Sequence, residues 1–544
     1  MINVLDLEIT NCPEETTVEY DGDKLIIKNS GSADVLLLVS LDCWSNEPYA
    51  LFQFNAVAND GAAPFFYLTD HLNRILGEAY ANSESACKLS WNGTRPDCIH
   101  ACYKVFGQSE VTITCAQIEF LNNRNRVDNL LFEQLRGSLL IVAPDYPSDN
   151  NRYLCAFVHS RVKAYIDQGI TCDVVCCWHS RASFCRWTYE GVSVLSCSFE
   201  TLTYLLKRMH YETMCVHFFD NAFADVLRRN VSSSTHVFLW VHGTETLYWD
   251  WPSMASHYFE PKVKITKRQR KEFRERDIVV EEFSNKPNYT WVFVSDWIKK
   301  RSEELIGISF RNAVIIPNYI DAKTFAFKQK SSDLRKRVFT IRRFDNISKY
   351  VIDITMATIL ELSKRPFFDE LSFEIYGMGD YWEQLTEPVR EFKNVHLHRQ
   401  LLTHSQIASA HEQCGIALFP TRYDAQGVSM CEAASSGLAV ISSDCEVTRD
   451  FLLPELLAET ENPKDYADLI ESLFYDRKLF LELASKNSAK VLKKCCFEET
   501  VGREIELITA KHDDIAPESA SIPFSAKFKM GMKRFGVRLN SRSK

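Results

Sequence analysis

Residues 1–132 carry short runs of alternating apolar and polar positions, separated by Gly, Asn, Asp and Ser, a pattern typical of β-strands and turns. Asp21-Gly22-Asp23 lies at the start of such a run and is predicted to be a tight turn rather than a metal-binding Asp-x-Asp motif. The stretch 23–43 holds two apolar runs around a polar Asn/Ser/Gly segment, which predicts a hairpin. We therefore predict an all-β, sandwich-like domain over residues 1–132.

From Arg136 on, the pattern changes to strongly apolar runs that alternate with longer helical stretches. The alternation continues through Val216–Asp220 and the apolar run 236–241, and it predicts a doubly wound parallel sheet. The loop Asp145–Asn151 follows the first strand, at the end where such folds bind ligands. It lacks the glycines of a dinucleotide fingerprint, so a nicotinamide or flavin cofactor is not predicted.

A second alternation of strands and helices begins at Arg337. The run VFTIRRF predicts a strand with Arg342 and Arg343 at its carboxyl end, and Lys349 precedes a helical segment over 350–362. Cations at the carboxyl ends of parallel strands are well placed to bind phosphate. The sequence thus predicts a second doubly wound domain with an anion site.

The most informative stretch is Phe419–Asp444, which reads as strand, loop, helix, turn and strand. Ser429 and Glu432 have the spacing of a capping box and predict the start of the helix. Gly437 is predicted to take the left-handed conformation that ends it. The free N–H groups and the helix dipole at Gly427–Ser429 suit a phosphate.

Composition narrows the class of protein. The 544 residues are 46% apolar and 25% charged, which is ordinary for a globular chain of two to four domains. The net charge of −9 disfavours binding to nucleic acid. The start of the chain lacks a signal-peptide pattern, and no apolar run reaches the ~18 residues of a membrane span. The 18 cysteines form no C-x-x-C pair, so we expect reduced thiols, a cytoplasmic protein and no zinc site.

The string from 420 to 444 resembles the donor-binding motif of retaining glycosyltransferases of family 4, with its Glu-x7-Glu signature. Asp424 stands where the family has the first Glu, and Glu432 is the second acid. The segment 316–325, with Ile-Pro-Asn-x-Ile-Asp-x-x-x-Phe, resembles the segment that joins the family's two domains. The resemblance covers roughly residues 137–510.

This resemblance implies the GT-B fold, in which two doubly wound Rossmann-like domains face a cleft. Together with the β-rich start, it predicts four parts of the chain. They are an all-β accessory domain over 1–132, the acceptor domain over 133–322, the donor nucleotide-sugar domain over 323–510, and a polar linker with a basic tail over 511–544.

The resemblance also implies roles for individual residues. The family grips the nucleotide diphosphate with an Arg and a Lys, which here match Lys349 and either Arg342 or Arg343. These cations and the helix N-terminus stabilise the charge of the departing diphosphate without a metal. Glu432 is expected to hold the ribose hydroxyls and Asp424 the donor sugar.

Other positions match the family less specifically. Gly377 and Gly379 match its third strand and loop, and His398 and Arg399 either meet the nucleobase or simply end a strand. His242 either approaches the donor sugar or stabilises a strand end. The predicted catalytic residues are His242, Asp424 and Glu432, and the predicted donor-binding residues are Arg342, Arg343, Lys349, Gly377, Gly379, His398, Arg399, Gly427, Val428, Ser429 and Glu432.

The implied activity is metal-independent transfer of a sugar, with retention, from a nucleotide-diphosphate sugar to a glycan or lipid-linked glycan acceptor in bacterial surface polysaccharide biosynthesis. No cofactor is expected. Front-face attack is implied, with the leaving phosphate accepting the proton of the acceptor hydroxyl. Two alternatives stay open. A nucleotide-sugar epimerase of the same fold would isomerise the donor without an acceptor, and a non-catalytic carbohydrate-binding protein would not turn it over.

Two further interactions are predicted. The segment 524–544 is rich in Lys and Arg and lacks acids, and on a helix its Phe, Met and Leu residues share one face. That pattern is typical of an interfacial amphipathic helix, which predicts peripheral association with the inner face of the membrane; the alternative is a disordered basic tail. Residues 1–132 are also a candidate surface for homo-oligomerisation.

Overall fold

The structure, a computed structural model, divides into two compact units. The described residues are 1–31, 33–41, 48–60, 63–70, 74–89, 99–148, 152, 154–177, 183–250, 264–345, 351–400 and 402–510. The first unit comprises Met1–Trp240, Asn318–Ala326 and Arg399–His411. The second comprises Val241–Pro317, Phe327–His398 and the residues from Glu412 onward. The predictions for the linker and tail at 511–544 lie outside the described residues.

The described residues before Asn122 are mostly β-strands, which enclose an apolar core between two sheets. One sheet has the order β4-β9-β6-β7, and the other includes β8-β5-β10-β3-β2, with β1 paired to β10. The strands are β1 (Ile2–Asn3), β2 (Thr16–Asp21), β3 (Lys24–Asn29), β4 (Val35–Leu41), β5 (Tyr49–Asp60), β6 (Phe65–Asp70), β7 (Ile75–Tyr80), β8 (Ser83–Lys88), β9 (Ile99–Val105) and β10 (Ser109–Leu121).

Two turn predictions in this region have opposite outcomes. The tight turn is confirmed, because Asp21 pairs with Lys24 across Gly22, whose φ is 64°. The hairpin between β3 and β4 is wrong, because β3 pairs with β2 and β10 whereas β4 pairs with β9 in the other sheet. Both strands bury their apolar side chains in the same core, so they face each other across it instead of pairing edge to edge.

The β-rich region shares a sheet with the α/β region that follows. Strand β8 pairs antiparallel with β13 (Ser183–Tyr189), and β13 pairs antiparallel with β14 (Val192–Cys197). Because hydrogen bonding continues from one region into the other, the sheet gives no boundary near residue 132. A separate all-β domain there stays a prediction.

The α/β part of the first unit is a parallel sheet with the order β14-β12-β11-β15-β16. The parallel pairing confirms the alternation of strands and helices predicted from Arg136 on. The additional elements are α1 (Asn125–Phe132), β11 (Leu139–Ala143), α2 (Ala156–Asp167), β12 (Cys172–Cys177), α3 (Phe199–Leu206), β15 (Thr213–His217), α4 (Asn221–Asn230) and β16 (His236–Val241).

The second unit contains a six-stranded sheet with the order β21-β20-β19-β22-β23-β24. Strand β19 pairs in parallel with β20 and β22, and β23 pairs in parallel with β22 and β24. Counted along the chain this is the order 3-2-1-4-5-6 of a nucleotide-binding α/β fold. The strands of this sheet are β19 (Arg337–Arg343), β20 (Ser372–Met378), β21 (Val395–Arg399), β22 (Ile416–Phe419), β23 (Ala439–Ser443) and β24 (Leu457–Ala458).

Helices cover this sheet, and a shorter parallel pair of strands, β17 (Tyr289–Phe293) and β18 (Ala313–Ile315), belongs to the same unit. None of the helices among the described residues combines the length and the apolar character needed to cross a bilayer. The helices after α4 are α5 (Lys267–Ser284), α6 (Asp296–Ile306), α7 (Ile352–Leu362), α8 (Trp382–Thr386), α9 (His404–Gln413), α10 (Val428–Ser435), α11 (Glu446–Phe451), α12 (Pro463–Tyr475), α13 (Arg477–Cys495) and α14 (Arg503–Thr509).

Candidate active site

The order of the six-stranded sheet reverses between β19 and β22, and ligands of such sheets bind beyond the carboxyl ends of the strands at this point. Two predicted groups of site residues lie there. Arg342 and Arg343 end β19, and the loop 420–427 follows β22. The topology therefore brings the arginines and the motif loop to the same edge.

The two arginines point to different surroundings, because successive side chains of a strand alternate between its faces. Arg342 is buried, and its guanidinium carbon lies 4.4 Å from the centre of the Phe419 ring, directly before the motif loop. Arg343 is half-buried and is ion-paired with Asp345, two residues further on. Of the two arginines left open by the sequence, Arg342 is the one that packs against the strand leading into the motif.

Lys349, the predicted partner of this arginine, lies at 346–350, outside the described residues. Its place relative to the motif loop therefore stays a prediction.

Gly377 and Gly379 pack against the backbone that leaves β19. Gly377 is paired with Arg342, and a Cβ there would collide with the Arg342 carbonyl oxygen. Gly379 has a φ of 152°, and a Cβ there would collide with Asp345, which also accepts a hydrogen bond from the Asp380 N–H (2.9 Å). These contacts explain why glycine is required at both positions, through close packing of two strand ends. A direct contact with the donor stays a prediction for both.

The helix after the motif loop starts differently from the prediction. Helix α10 begins at Val428, and its N-cap is Gly427, in the left-handed conformation with a φ of 76°. Ser429 is therefore the second residue of the helix and caps nothing, and Glu432 lies one turn in, so the capping box is wrong. Gly427 occupies the N-cap because the chain enters the helix there with a positive φ, a conformation that glycine adopts without steric cost.

Because Glu432 forms no capping box with Ser429, helix capping does not explain why an acid stands at this position. The side chain is only 9% exposed, so its carboxyl is buried in the first half of α10. The other end of the helix agrees with the prediction: Gly437 has a φ of 87°, and the Leu438 N–H donates to the Ala433 carbonyl (3.1 Å) in a Schellman motif.

The motif loop is tied to the body of the second unit through an arginine that the sequence analysis did not single out. Arg422 donates to both oxygens of Asp353 at the start of α7 (3.3 and 2.8 Å) and to Glu461 (2.5 and 2.9 Å). Its side chain is only 10% exposed. The Thr421 N–H also donates to the Ser443 hydroxyl at the end of β23 (2.8 Å). The loop is therefore held from two neighbouring elements.

Asp424 lies in the middle of this loop and is 8% exposed. Its Oδ1 accepts a hydrogen bond from the Ala425 N–H (2.7 Å), which fixes the direction of the carboxyl. Asp424 thus has a fixed orientation in the loop that runs from Phe419, on which Arg342 packs, to the start of α10.

His242 follows β16 directly and is half-buried. The backbone N–H of His242 donates to Glu245 Oε2 (2.9 Å), and the next residue, Gly243, packs against the hydroxyl of Tyr423. Gly243 has a φ of 120°, and a Cβ there would collide with that hydroxyl. The structure thus joins the turn that carries His242 to the residue directly before Asp424.

His398 contacts two side chains of the neighbouring strand β20. Its Nε2 lies 2.9 Å from Glu374 Oε2, and its ring stacks on Tyr376 with centroids 4.4 Å apart and an interplanar angle of 11°. These contacts hold the edge strand β21 to β20. Arg399 is exposed at the end of β21 and belongs to the first unit. The role of both residues at a nucleobase stays a prediction.

Metal ligands need several convergent side chains. Within the part of the chain that the structure describes, no group of three or more His, Cys, Asp or Glu side chains is arranged to hold a metal ion. Metal independence itself stays a prediction.

Comparison with known proteins adds the class of enzyme. Residues 335–476 match the family described as Glycosyl transferases group 1. A curated relative from Campylobacter jejuni subsp. jejuni serotype O:2, N,N'-diacetylbacillosaminyl-diphospho-undecaprenol alpha-1,3-N-acetylgalactosaminyltransferase, is 35% identical over 125 residues. That match spans 22% of this chain and 32% of the relative, so the chain covers about a third of the relative's length. The domain match and the relative confirm the prediction of a glycosyltransferase domain, and hence of an enzyme of the transferase class.

Two solved structures are similar to this chain. Sucrose-phosphate synthase from Thermosynechococcus elongatus matches with a TM-score of 0.52 at 14% identity, over 68% of this chain and 98% of that chain. A mutant of S. aureus TarM, in complex with Fondaparinux, alpha-GlcNAc-glycerol and UDP, matches with a TM-score of 0.47 at 14% identity, over 93% of this chain and 78% of that chain. The first match, with the mixed α/β sheets described above, supports the predicted α/β GT-B fold.

Proposed function

We propose that this protein is a retaining glycosyltransferase of family 4, which transfers a sugar from a nucleotide-diphosphate sugar to a glycan or lipid-linked glycan acceptor without a metal ion. The group 1 glycosyltransferase match of residues 335–476 supports the reaction class. The family resemblance of the motif at 420–444 supports retention of configuration.

The observation that carries the proposal is the group of residues at the point where the sheet order reverses. Arg342 packs on Phe419 at the end of β22, and the loop that follows leads to the N-terminus of α10 at Gly427. The guanidinium supplies a full positive charge, and the first N–H groups of the helix supply donors and a partial positive charge. Together they suit the diphosphate of a nucleotide sugar.

The chemical step follows from this placement. The bond between the anomeric carbon and the phosphate oxygen breaks, and negative charge develops on the diphosphate beside Arg342 and the start of α10. The acceptor hydroxyl forms the new bond on the same face, and its proton passes to the departing phosphate oxygen. In this scheme Glu432 binds the ribose hydroxyls, Asp424 binds the donor sugar, and His242 approaches that sugar from the neighbouring turn.

The acceptor is proposed from the relative. The Campylobacter protein is named for a diphospho-undecaprenol acceptor. A lipid-linked glycan in surface polysaccharide biosynthesis is therefore the acceptor class that we propose here. The basic segment 524–544, outside the described residues, is proposed to associate with anionic lipid at the inner face of the membrane.

Donor binding and turnover test the proposal together. We would screen a panel of nucleotide sugars by thermal shift, because a ligand of the folded state raises the apparent stability, and then assign the anomeric configuration of the product by NMR. Glu432→Gln is expected to lower transfer by a factor on the order of 10² or more while the protein stays folded. Glu455→Gln, which removes the same charge at an exposed site, is the matched control.

The outcomes separate the alternatives. An epimerase would isomerise the donor without any acceptor, and a non-catalytic sugar-binding protein would bind no nucleotide diphosphate. Normal transfer by the Glu432→Gln variant would contradict the role given to Glu432, and a product of inverted configuration would contradict retention.

A further inference from the structure

Glu245 is a buried acid outside the predicted site residues. The residue is fully buried, and its Oε2 accepts a hydrogen bond from the His242 N–H (2.9 Å). Its Oε1 is also buried and has no hydrogen-bond partner among the described residues. An ionised oxygen in this position would lose its hydration and gain no hydrogen bond in return. The geometry therefore favours a neutral carboxyl.

A second unsatisfied polar group lies beside the same turn. The hydroxyl of Tyr423 is buried, has no hydrogen-bond partner among the described residues, and packs against Gly243. The ring of Tyr423 lies edge-on to Trp297, with centroids 5.9 Å apart, and its carbonyl accepts from the Thr421 hydroxyl (2.9 Å). Tyr423 is thus fixed between the His242 turn and the motif loop, directly before Asp424.

The turn is anchored on its other side as well. The Ser302 hydroxyl of α6 donates to the Thr246 hydroxyl (2.6 Å). Arg301 of the same helix donates to both oxygens of Asp250 (2.7 Å each). These hydrogen bonds to helix α6 restrict the movement of the turn relative to Tyr423.

The charged and titratable groups around Glu245 come from three elements. His242 lies on its own turn, Arg276 faces it from α5, and Tyr423 faces it from the motif loop. Burial raises the pKa of Glu245 to about 7, although hydrogen bonds from the backbone of its turn and the charge of Arg276 oppose this rise. Burial also raises the pKa of Tyr423, and negative charge on Glu245 and on the neighbouring Asp424 and Asp250 adds to that effect.

We propose that Glu245 is a positioning residue of the transfer reaction, whose neutral carboxyl holds the His242 turn against Tyr423 and keeps further negative charge away from the donor diphosphate. This inference rests on the proposed function. Ionisation of Glu245 places a buried negative charge behind Tyr423 and Asp424. Because the donor diphosphate is itself anionic, its affinity falls when that charge appears.

The test is the pH dependence of nucleotide diphosphate binding to the full-length protein. UDP, GDP and ADP are titrated by calorimetry from pH 6 to pH 8.5 against the wild type, Glu245→Gln and Glu275→Gln. Glu275 is an exposed acid on α5, with a side chain 53% exposed, and its variant makes the same change of charge. Comparison between variants cancels the titration of the nucleotide itself.

We expect the wild type and Glu275→Gln to bind about tenfold more weakly at pH 8.5 than Glu245→Gln, and all three to bind alike at pH 6. Tyr423→Phe provides a variant that does not depend on the folding of Glu245→Gln. It keeps the ring and removes a hydroxyl that can donate to the ionised carboxylate, so the loss of affinity is expected to move to higher pH.

Two results would overturn the inference, and they are distinguishable. If the wild type binds a nucleotide diphosphate but Glu245→Gln and Tyr423→Phe follow its pH profile, Glu245 has no such role and the proposed function stands. If the wild type binds none of the three nucleotides at any pH, both the proposed function and the role of Glu245 are wrong.

Discussion

The anchoring of the motif loop by Arg422 gives a quantitative prediction. Its side chain is 10% exposed, and the side chain of its partner Asp353 is 12% exposed, whereas that of Glu461 is 59% exposed. Arg422→Ala therefore leaves Asp353 as an uncompensated buried charge, while Glu461 returns to water. Removing one partner of a buried ion pair costs roughly 3–5 kcal/mol. Because one of the two acids is largely solvated, we expect about 3 kcal/mol of unfolding free energy to be lost.

The chain offers a matched control in Arg449, which makes a bidentate pair with Asp444 on the surface (2.6 and 2.9 Å). The two side chains are 56% and 42% exposed, and exposed pairs contribute about 0–1 kcal/mol. Arg449→Ala should thus lower the unfolding free energy much less than Arg422→Ala does.

Urea denaturation of the two variants and the wild type measures both losses, with the slope m checked for constancy. The double variant Arg422→Ala/Asp353→Asn should recover part of the loss, because the buried charge is gone. Donor binding should weaken in Arg422→Ala, since the loop that carries Asp424 loses its anchor. Equal losses in Arg422→Ala and Arg449→Ala, or no recovery in the double variant, would refute the reasoning.

Three further predictions concern stability and membrane binding. The pKa of Glu245 is raised from its ordinary value of 4.5 to about 7 in the folded chain, so the folded state binds the proton more tightly than the unfolded state. The unfolding free energy should therefore fall by about 2 kcal/mol as pH rises from 5 to 7 and level off above about pH 8. Glu245→Gln should lack this fall, and an equal pH dependence of unfolding free energy in the two proteins would contradict the prediction. Gly437→Ala should lower the midpoint of thermal unfolding more than Gly169→Ala does. Both glycines have positive φ, but only at position 437 would a Cβ lie 2.7 Å from the Lys328 carbonyl oxygen. Equal decreases in the two variants would contradict this prediction. Deletion of 524–544 should abolish sedimentation with vesicles that contain anionic lipid while UDP binding is kept, and unchanged sedimentation would favour a merely disordered tail.

Local patterns predicted much of the second unit correctly. The apolar runs that became β19, β22 and β23 are each too apolar for an exposed strand, and their alternation with helical stretches implies a parallel sheet whatever the tertiary details. Gly437 was predictable for a similar reason, because a left-handed residue after a helix is a local requirement.

Positions governed by two or more segments were predicted less well. Ser429 has the spacing of a cap, yet Gly427 takes that position, because the path of the loop from β22 decides where the helix starts. The apolar runs of β3 and β4 look like a hairpin, yet they face the same core from different sheets. Local spacing does not say which of two compatible arrangements the rest of the chain permits.

By itself, the sequence determined the α/β class of the carboxyl-terminal half, the position of the motif between two buried strands, and the residues that the family resemblance implies. These depend on periodicity and on short-range spacing. Only the tertiary structure decided that Arg342 rather than Arg343 packs at the motif loop, that Arg422 anchors that loop, and that Glu245 is buried beside Tyr423. Each of these depends on contacts between segments tens of residues or more apart, and burial and charge environment are properties of those contacts.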